Sequence, residues 1–246
     1  MHHKDISKYY SDFLDSFLYI DDIDDLDLTK NDISKAIFIH VFRIKLSQWK
    51  YKVMFNRKKS MAISDIFQDI VALYIGLSLG SDFEVIVEEK IGQIQPDILI
   101  KFKGKNLFIL EIKTTIGWER ELLDGKMQQR LNELANAASI SKDNIVYIFM
   151  SPWNVNKEFA CKYWDSITDT PKQLPQDFPY NKIRPLMTRE DPFYWKNIGN
   201  INKQNKYLEF SDKEIEDMAI KNIVIPIEIT ITEIKIASNE LINNVC

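Results

Sequence analysis

Two acidic residues stand where apolar strand-like runs should carry none. Gln95-Pro96-Asp97 opens the run Ile98-Leu99-Ile100-Lys101-Phe102, and Glu111-Ile112-Lys113 closes the run that begins at Leu107. In an extended chain alternate residues share a face, so Glu111 and Lys113 point one way and Ile112 the other. The turn Lys103-Gly104-Lys105-Asn106 between the runs is short enough to fold them as an antiparallel hairpin. Leu107 to Leu110 are apolar on both faces, which places Glu111 and Lys113 at the end of a covered strand. A lone buried charge is costly, and two carboxylates brought together repel unless a cation joins them. A hard divalent ion held by Asp97, Glu111 and a main-chain carbonyl, that of Ile112, resolves the conflict. The Lys113 ammonium beside such an ion orients a water and favours its hydroxide form.

The elements that must position these groups follow from periodicity. Tyr10, Phe13, Phe17 and Ile20 recur at helical spacing, and the acid-rich stretch Asp21 to Asp27 is a loop. Asn31 or Asp32 caps a second helix running to about Phe55, marked by Ile37, Val41, Ile44 and Trp49. Asn56 to Ser60 breaks it. A third helix over about Met61–Leu79 puts Ile63, Ile66, Phe67, Ile70, Tyr74 and Leu77 on one stripe. The period then changes to two: Phe83–Val87 is a strand, followed by the hairpin. A helix over about Lys126–Ile140 turns Met127, Leu131, Leu134 and Ala138 inward, and Ile145–Met150 is a buried central strand. Ser211-Asp212-Lys213-Glu214 is a capping box that opens a short helix. Ile223 to Ile236, alternating Ile, Thr and Glu, has the pattern of a half-exposed strand. It contains a second E-x-K, Glu233-Ile234-Lys235, which no Pro-Asp arm precedes by a hairpin; its acid is expected on a solvent face.

Pro96-Asp97, thirteen intervening residues and Glu111-Ile112-Lys113 resemble the motif of the PD-(D/E)xK nuclease superfamily. The order helix, three strands, helix, strand over residues 61–150 is similar to that superfamily's core. Glu111-Ile112-Lys113-Thr114-Thr115 also looks like the metal-site strand of some type II restriction endonucleases. The resemblance implies an α/β (α+β) restriction-endonuclease-like core, a central mixed sheet flanked by helices, with an N-terminal helical region. It implies Mg²⁺-dependent hydrolysis of phosphodiesters in nucleic acid, with Mn²⁺ as a substitute metal and products bearing 5′-phosphate and 3′-hydroxyl ends. Asp97 and Glu111 are then metal ligands, and Lys113 activates the water. Members that place an acid on the helix before the sheet make Asp69 a further ligand, better placed than Asp65. Members that place a Gln or Lys near the metal single out Gln128. A histidine ligand is used in some relatives, but His40, amid Phe38-Ile39-His40-Val41-Phe42, fits a packed core histidine better.

The charge distribution bears on the partner. Residues 1–32 carry nine Asp against three Lys, a balance of −6, whereas residues 33–64 carry eight basic residues and no acid, +8. Local potential matters more to a polyanion than the net charge of −4. The stretch Arg43–Lys59 mixes bases with Trp49, Tyr51 and Phe55, suited to phosphate contact and stacking, and Arg57, Lys58 and Lys59 are its candidate contacts. The 180–207 region repeats the mixture with Lys182, Arg184, Arg189 and Lys196, and its Asn200 and Gln204 are candidates for reading adenine edges. The same stretches equally fit solvated faces.

With 45% hydrophobic and 28% charged residues, the composition excludes disorder and collagen-like repeats. Two cysteines, Cys161 and Cys246, exclude a disulfide framework or a cysteine-rich zinc site and point to a reducing cytoplasm. The longest apolar stretch, Ile70 to Leu79, is half of what a membrane span needs, so no membrane partner is expected. No Gly-x-x-x-x-Gly-Lys loop supports an ATPase. The expected organisation is an N-terminal helical region (1–60), a nuclease core (61–150) and a C-terminal extension (151–246) with DNA-recognition and dimer elements. The first expectation is a sequence-specific DNA endonuclease of the restriction type, a homodimer because a duplex has two strands, with a cognate DNA methyltransferase in the same system. The rivals are another nuclease of the superfamily, acting in transposition, repair or phage defence on single strands or RNA, and a non-cleaving binding module.

Overall fold

The computed structural model describes residues 32–50, 59–115, 126–151, 182–186, 210–223 and 225–243. The expected helix around Tyr10 to Ile20, the Asp21 to Asp27 loop and the segment 51–58 lie outside the described residues. The described chain is mixed α/β. Helices α1 (Asp32–Lys50) and α2 (Lys59–Ser78) precede strands β1 (Phe83–Val87), β2 (Ile98–Phe102) and β3 (Lys105–Thr115). Helix α3 (Lys126–Ala138), strands β4 (Ile145–Ser151) and β5 (Ile183–Pro185), and helices α4 (Asp212–Asn222) and α5 (Ile227–Asn243) follow.

The five strands form one mixed sheet in the order β1-β2-β3-β4-β5. The first three pair antiparallel, and β4 and β5 run parallel to β3. Phe102 pairs with Lys105, so Lys103 and Gly104 alone make the hairpin turn. Their φ values of 48° and 76° are the two left-handed residues of a tight hairpin turn whose twist matches that of the strands. Where Lys101 pairs with Asn106 but Ile100 with Phe108, β3 carries a bulge at Leu107.

Period-2 alternation then sorts the side chains into two cores. Ile98, Ile100, Phe108, Leu110, Ile112, Val146 and Ile148 face α1, α2 and the two C-terminal helices. Leu99, Ile109, Ile145, Tyr147 and Phe149 face the amphipathic α3 through Met127, Leu131 and Leu134. Several polar groups inside this packing are paired. His40 is buried, its Nδ1 at 2.9 Å from the Tyr74 hydroxyl, as a core histidine should be. The buried Glu228 accepts hydrogen bonds from Ser34 N–H and Ser34 Oγ–H, which ties α5 to α1.

Two expectations are corrected here. Residues 227–236 form helix, not strand. The alternation of β-branched Ile and Thr favours a strand locally, but Ile227, Ile231, Ile234 and Ser238 are buried at spacings of four, three and four. That spacing makes one helical stripe, and tertiary packing overrides propensity. Second, Glu233 is not simply a solvent group. Its two carboxylate oxygens accept from Arg184 Nη2 at 2.7 and 2.6 Å, while Arg184 Nη1 donates to Thr230 Oγ1 at 2.7 Å. Arg184 is buried, and Lys182 is buried with Nζ donating to the Asp143 carbonyl. Both bases, taken from the sequence as nucleic-acid contacts, are instead used in holding β5 to α5 and to the turn before β4.

Glu233→Ala therefore strands a buried guanidinium. The expected loss of stability is about 1–3 kcal/mol, less than for a wholly buried pair because the Glu233 side chain is 39% exposed. A denaturant titration measures it, and a change within about 0.5 kcal/mol of wild type counts against the pairing.

Candidate active site

The hairpin register sets Asp97 opposite Glu111. Ile98 pairs with Leu110, so the next residue on each arm stands across the antiparallel ladder from the other. Both belong to the sheet face covered by α3, as does Lys113 two residues on. Lys113 Nζ lies 2.8 Å from Asp97 Oδ2 and 3.5 Å from Glu111 Oε2, bridging the two carboxylates. Asp97 Oδ2 also accepts the Ile112 N–H at 2.6 Å, an anchor that fixes the carboxylate against the strand. The structure thus brings together the three residues the motif singled out.

Two neighbours missed by the sequence reading complete the arrangement. Arg130, on α3, donates to the Gln95 carbonyl at 2.8 Å and reaches Glu111 Oε1 at 3.3 Å. Gln68, on α2, is buried and donates through Nε2 to the Asp97 carbonyl at 3.3 Å. That carbonyl also accepts the Glu88 N–H at 3.0 Å. Asp69, the acid chosen from this helix, is exposed. The α2 stripe includes Val71 and Ile75 beside Phe67 and Ile70, and so its centre turns towards position 68. Gln128 is half-buried on α3, two residues before the arginine that reaches Glu111. Lys59 is the first residue of α2, whereas Arg57, Lys58, Asn200 and Gln204 lie outside the described residues.

Electrostatics centre on Glu111, whose side chain is 4% exposed. Burial raises its pKa above the ordinary glutamate range, the charge of Asp97 raises it further, and Lys113 and Arg130 act against both. On β4, Tyr147 is the register partner of Glu111. Burial and then the Glu111 charge hold its phenol proton more tightly than usual. Its hydroxyl is buried and has no hydrogen-bond partner among the described residues. An orphaned buried hydroxyl costs roughly 1–3 kcal/mol.

The donor set suits a hard divalent cation: two carboxylates on facing strands, one of them buried, where burial and its neighbour both disfavour an uncompensated charge. Mg²⁺ takes one or two carboxylates and fills its remaining positions with water and substrate phosphate. Among the described residues no three His, Cys, Asp or Glu side chains converge. Such an ion would be held by Asp97 and Glu111, with the Ile112 carbonyl as the main-chain candidate. No helix among the described residues is long and apolar enough to cross a membrane. No protein-family model, curated protein or solved structure matches the chain.

Proposed function

We propose that the protein is a Mg²⁺-dependent DNA endonuclease with a restriction-endonuclease-like core, sequence-specific and of the type II kind. The observation that carries the reading is the Lys113 ammonium lying between the facing carboxylates of Asp97 and Glu111, 2.8 and 3.5 Å away. A bound divalent ion supplies charge stabilisation for the scissile phosphate and a more acidic water. Lys113, freed in part from Asp97, holds the attacking water by hydrogen bonding and favours its deprotonated form. Asp97 is kept in place by the Ile112 N–H, and Glu111 by Arg130. A homodimer pairs one such site with each strand of the duplex, and a cognate methyltransferase protects the host's own sites.

Incubation with Mg²⁺ and plasmid DNA, single-stranded DNA and RNA tests the substrate class. Discrete plasmid fragments are expected. Smearing, or loss of RNA alone, contradicts the restriction reading while leaving a nuclease; tight binding without cutting contradicts catalysis. Ca²⁺ gives a further expected outcome. It neutralises the same carboxylates but is larger and less strict in geometry than Mg²⁺. DNA association measured by fluorescence anisotropy is expected to persist in Ca²⁺ while hydrolysis falls by about a hundredfold or more, the scale of a displaced general base. Equal cleavage rates in the two metals contradict a water held at one fixed position by Lys113.

A further inference from the structure

Tyr147 is a polar residue in a strand that otherwise has no need of one. Ile145, Val146, Ile148, Phe149 and Met150 around it are buried and apolar, and the Tyr147 ring packs with Leu99, Ile109, Met127 and Leu131. A phenylalanine fills the same volume without an orphaned donor. Parallel pairing places Tyr147 beside Glu111 on the same face, one strand spacing of about 4.8 Å away. Among the described residues, the cations beside the Glu111 oxygens stand at long range, 3.3 Å to Arg130 and 3.5 Å to Lys113, and a carboxylate has lone pairs for a further donor.

We infer that the Tyr147 hydroxyl is a positioning group for Glu111, donating to its carboxylate through one buried water, and so fixing it as a ligand for a divalent metal. The inference rests on the nuclease reading and deepens it. Three groups then orient one buried carboxylate: Arg130 from α3, Lys113 from its own strand and Tyr147 from the next. A phenol stays protonated across the working pH range, so it donates whether or not the metal is present. Partners that orient a ligand in this way typically contribute ten- to a hundredfold to metal affinity.

Isothermal titration of the full chain with Mn²⁺ tests this, using wild type, Tyr147→Phe and Glu111→Gln. Melting temperatures are read in EDTA and in Mn²⁺. Tyr147→Phe is expected to bind Mn²⁺ about tenfold more weakly, with a smaller Mn²⁺-induced rise in melting temperature. Its melting temperature in EDTA is expected to stay near that of wild type or fall slightly, because a hydrogen bond towards a buried carboxylate is lost. A role in packing alone predicts unchanged Mn²⁺ affinity and an unchanged Mn²⁺-induced rise. Wild-type Mn²⁺ affinity in Tyr147→Phe, with affinity lost in Glu111→Gln, overturns the inference and leaves the nuclease reading standing. Absence of Mn²⁺ binding by the wild type overturns both.

Discussion

Replacing Glu111 with Gln, or Asp97 with Ala, is expected to reduce DNA cleavage by at least about a thousandfold, the scale of several kcal/mol of lost charge stabilisation at a metal-assisted transition state. The two variants are expected to part in stability. Glu111 is buried, its pKa raised by desolvation and by Asp97, so the metal-free fold holds its proton more tightly than the unfolded chain does. Below the ordinary value of 4.5 both folded and unfolded chains hold the proton and there is no penalty. As the pH rises from there the penalty grows, and it is complete only above the raised folded value. Glu111→Gln removes that pH dependence and melts higher than wild type in EDTA at neutral pH. Asp97→Ala leaves the Ile112 N–H and the Lys113 ammonium without their 2.6 and 2.8 Å acceptor and is expected to cost about 1–3 kcal/mol. Calorimetry in EDTA at several pH values checks both signs. Equal destabilisation of the two variants contradicts the electrostatic account.

Lys113→Met is expected to lower cleavage by about a hundred- to ten-thousandfold, the contribution of a positioned proton-transfer group, while Mn²⁺ binding persists. Methionine keeps much of the apolar stem but removes the cation that bridges Asp97 and Glu111. The metal-free variant therefore loses the cation that offsets repulsion between Asp97 and Glu111 and is expected to melt below wild type, with a divalent ion restoring most of the difference. Single-turnover cleavage at saturating metal, beside Mn²⁺ titration, separates the two effects. A cleavage rate within about threefold of wild type, less than any positioned acid or base contributes, removes Lys113 from the chemistry.

Much of the sheet was legible in the sequence because its signals are local. The run Leu107 to Leu110 ending in Glu111, the Gly104 turn and the largely apolar run Ile145–Met150 each specify an element without help from distant residues. The hairpin is equally local, but its two-residue turn alone would set Asp97 opposite Leu110; the bulge at Leu107 shifts the register by one and brings Asp97, Glu111 and Lys113 to one face. The failures are long-range. The 227–236 segment has the local alternation of a strand, and only its packing on α1 and β3 selects helix. Arg184 and Lys182 have the composition of a binding loop, yet their heads are taken up by Glu233, Thr230 and the Asp143 carbonyl, partners 39 or more residues away. Gln68 carries no local sign of its role: Val71 and Ile75 widen the packed stripe of α2 towards position 68, which leaves Asp69 exposed. Arg130 and Tyr147 become significant only through α3 lying over the sheet and β4 pairing beside β3; the tyrosine in an otherwise apolar strand was the one visible signal.

Purified wild-type protein and Glu111→Gln, prepared in parallel and incubated with covalently closed plasmid in Mg²⁺ or EDTA, give the most direct measurement of the central claim. Wild type in Mg²⁺ is expected to convert closed circles to nicked and linear DNA with 5′-phosphate ends, and neither wild type in EDTA nor Glu111→Gln in Mg²⁺ is expected to do so. Cutting that survives in Glu111→Gln, or intact plasmid after wild type is incubated with Mg²⁺, contradicts the assignment of metal-dependent DNA hydrolysis to Asp97, Glu111 and Lys113.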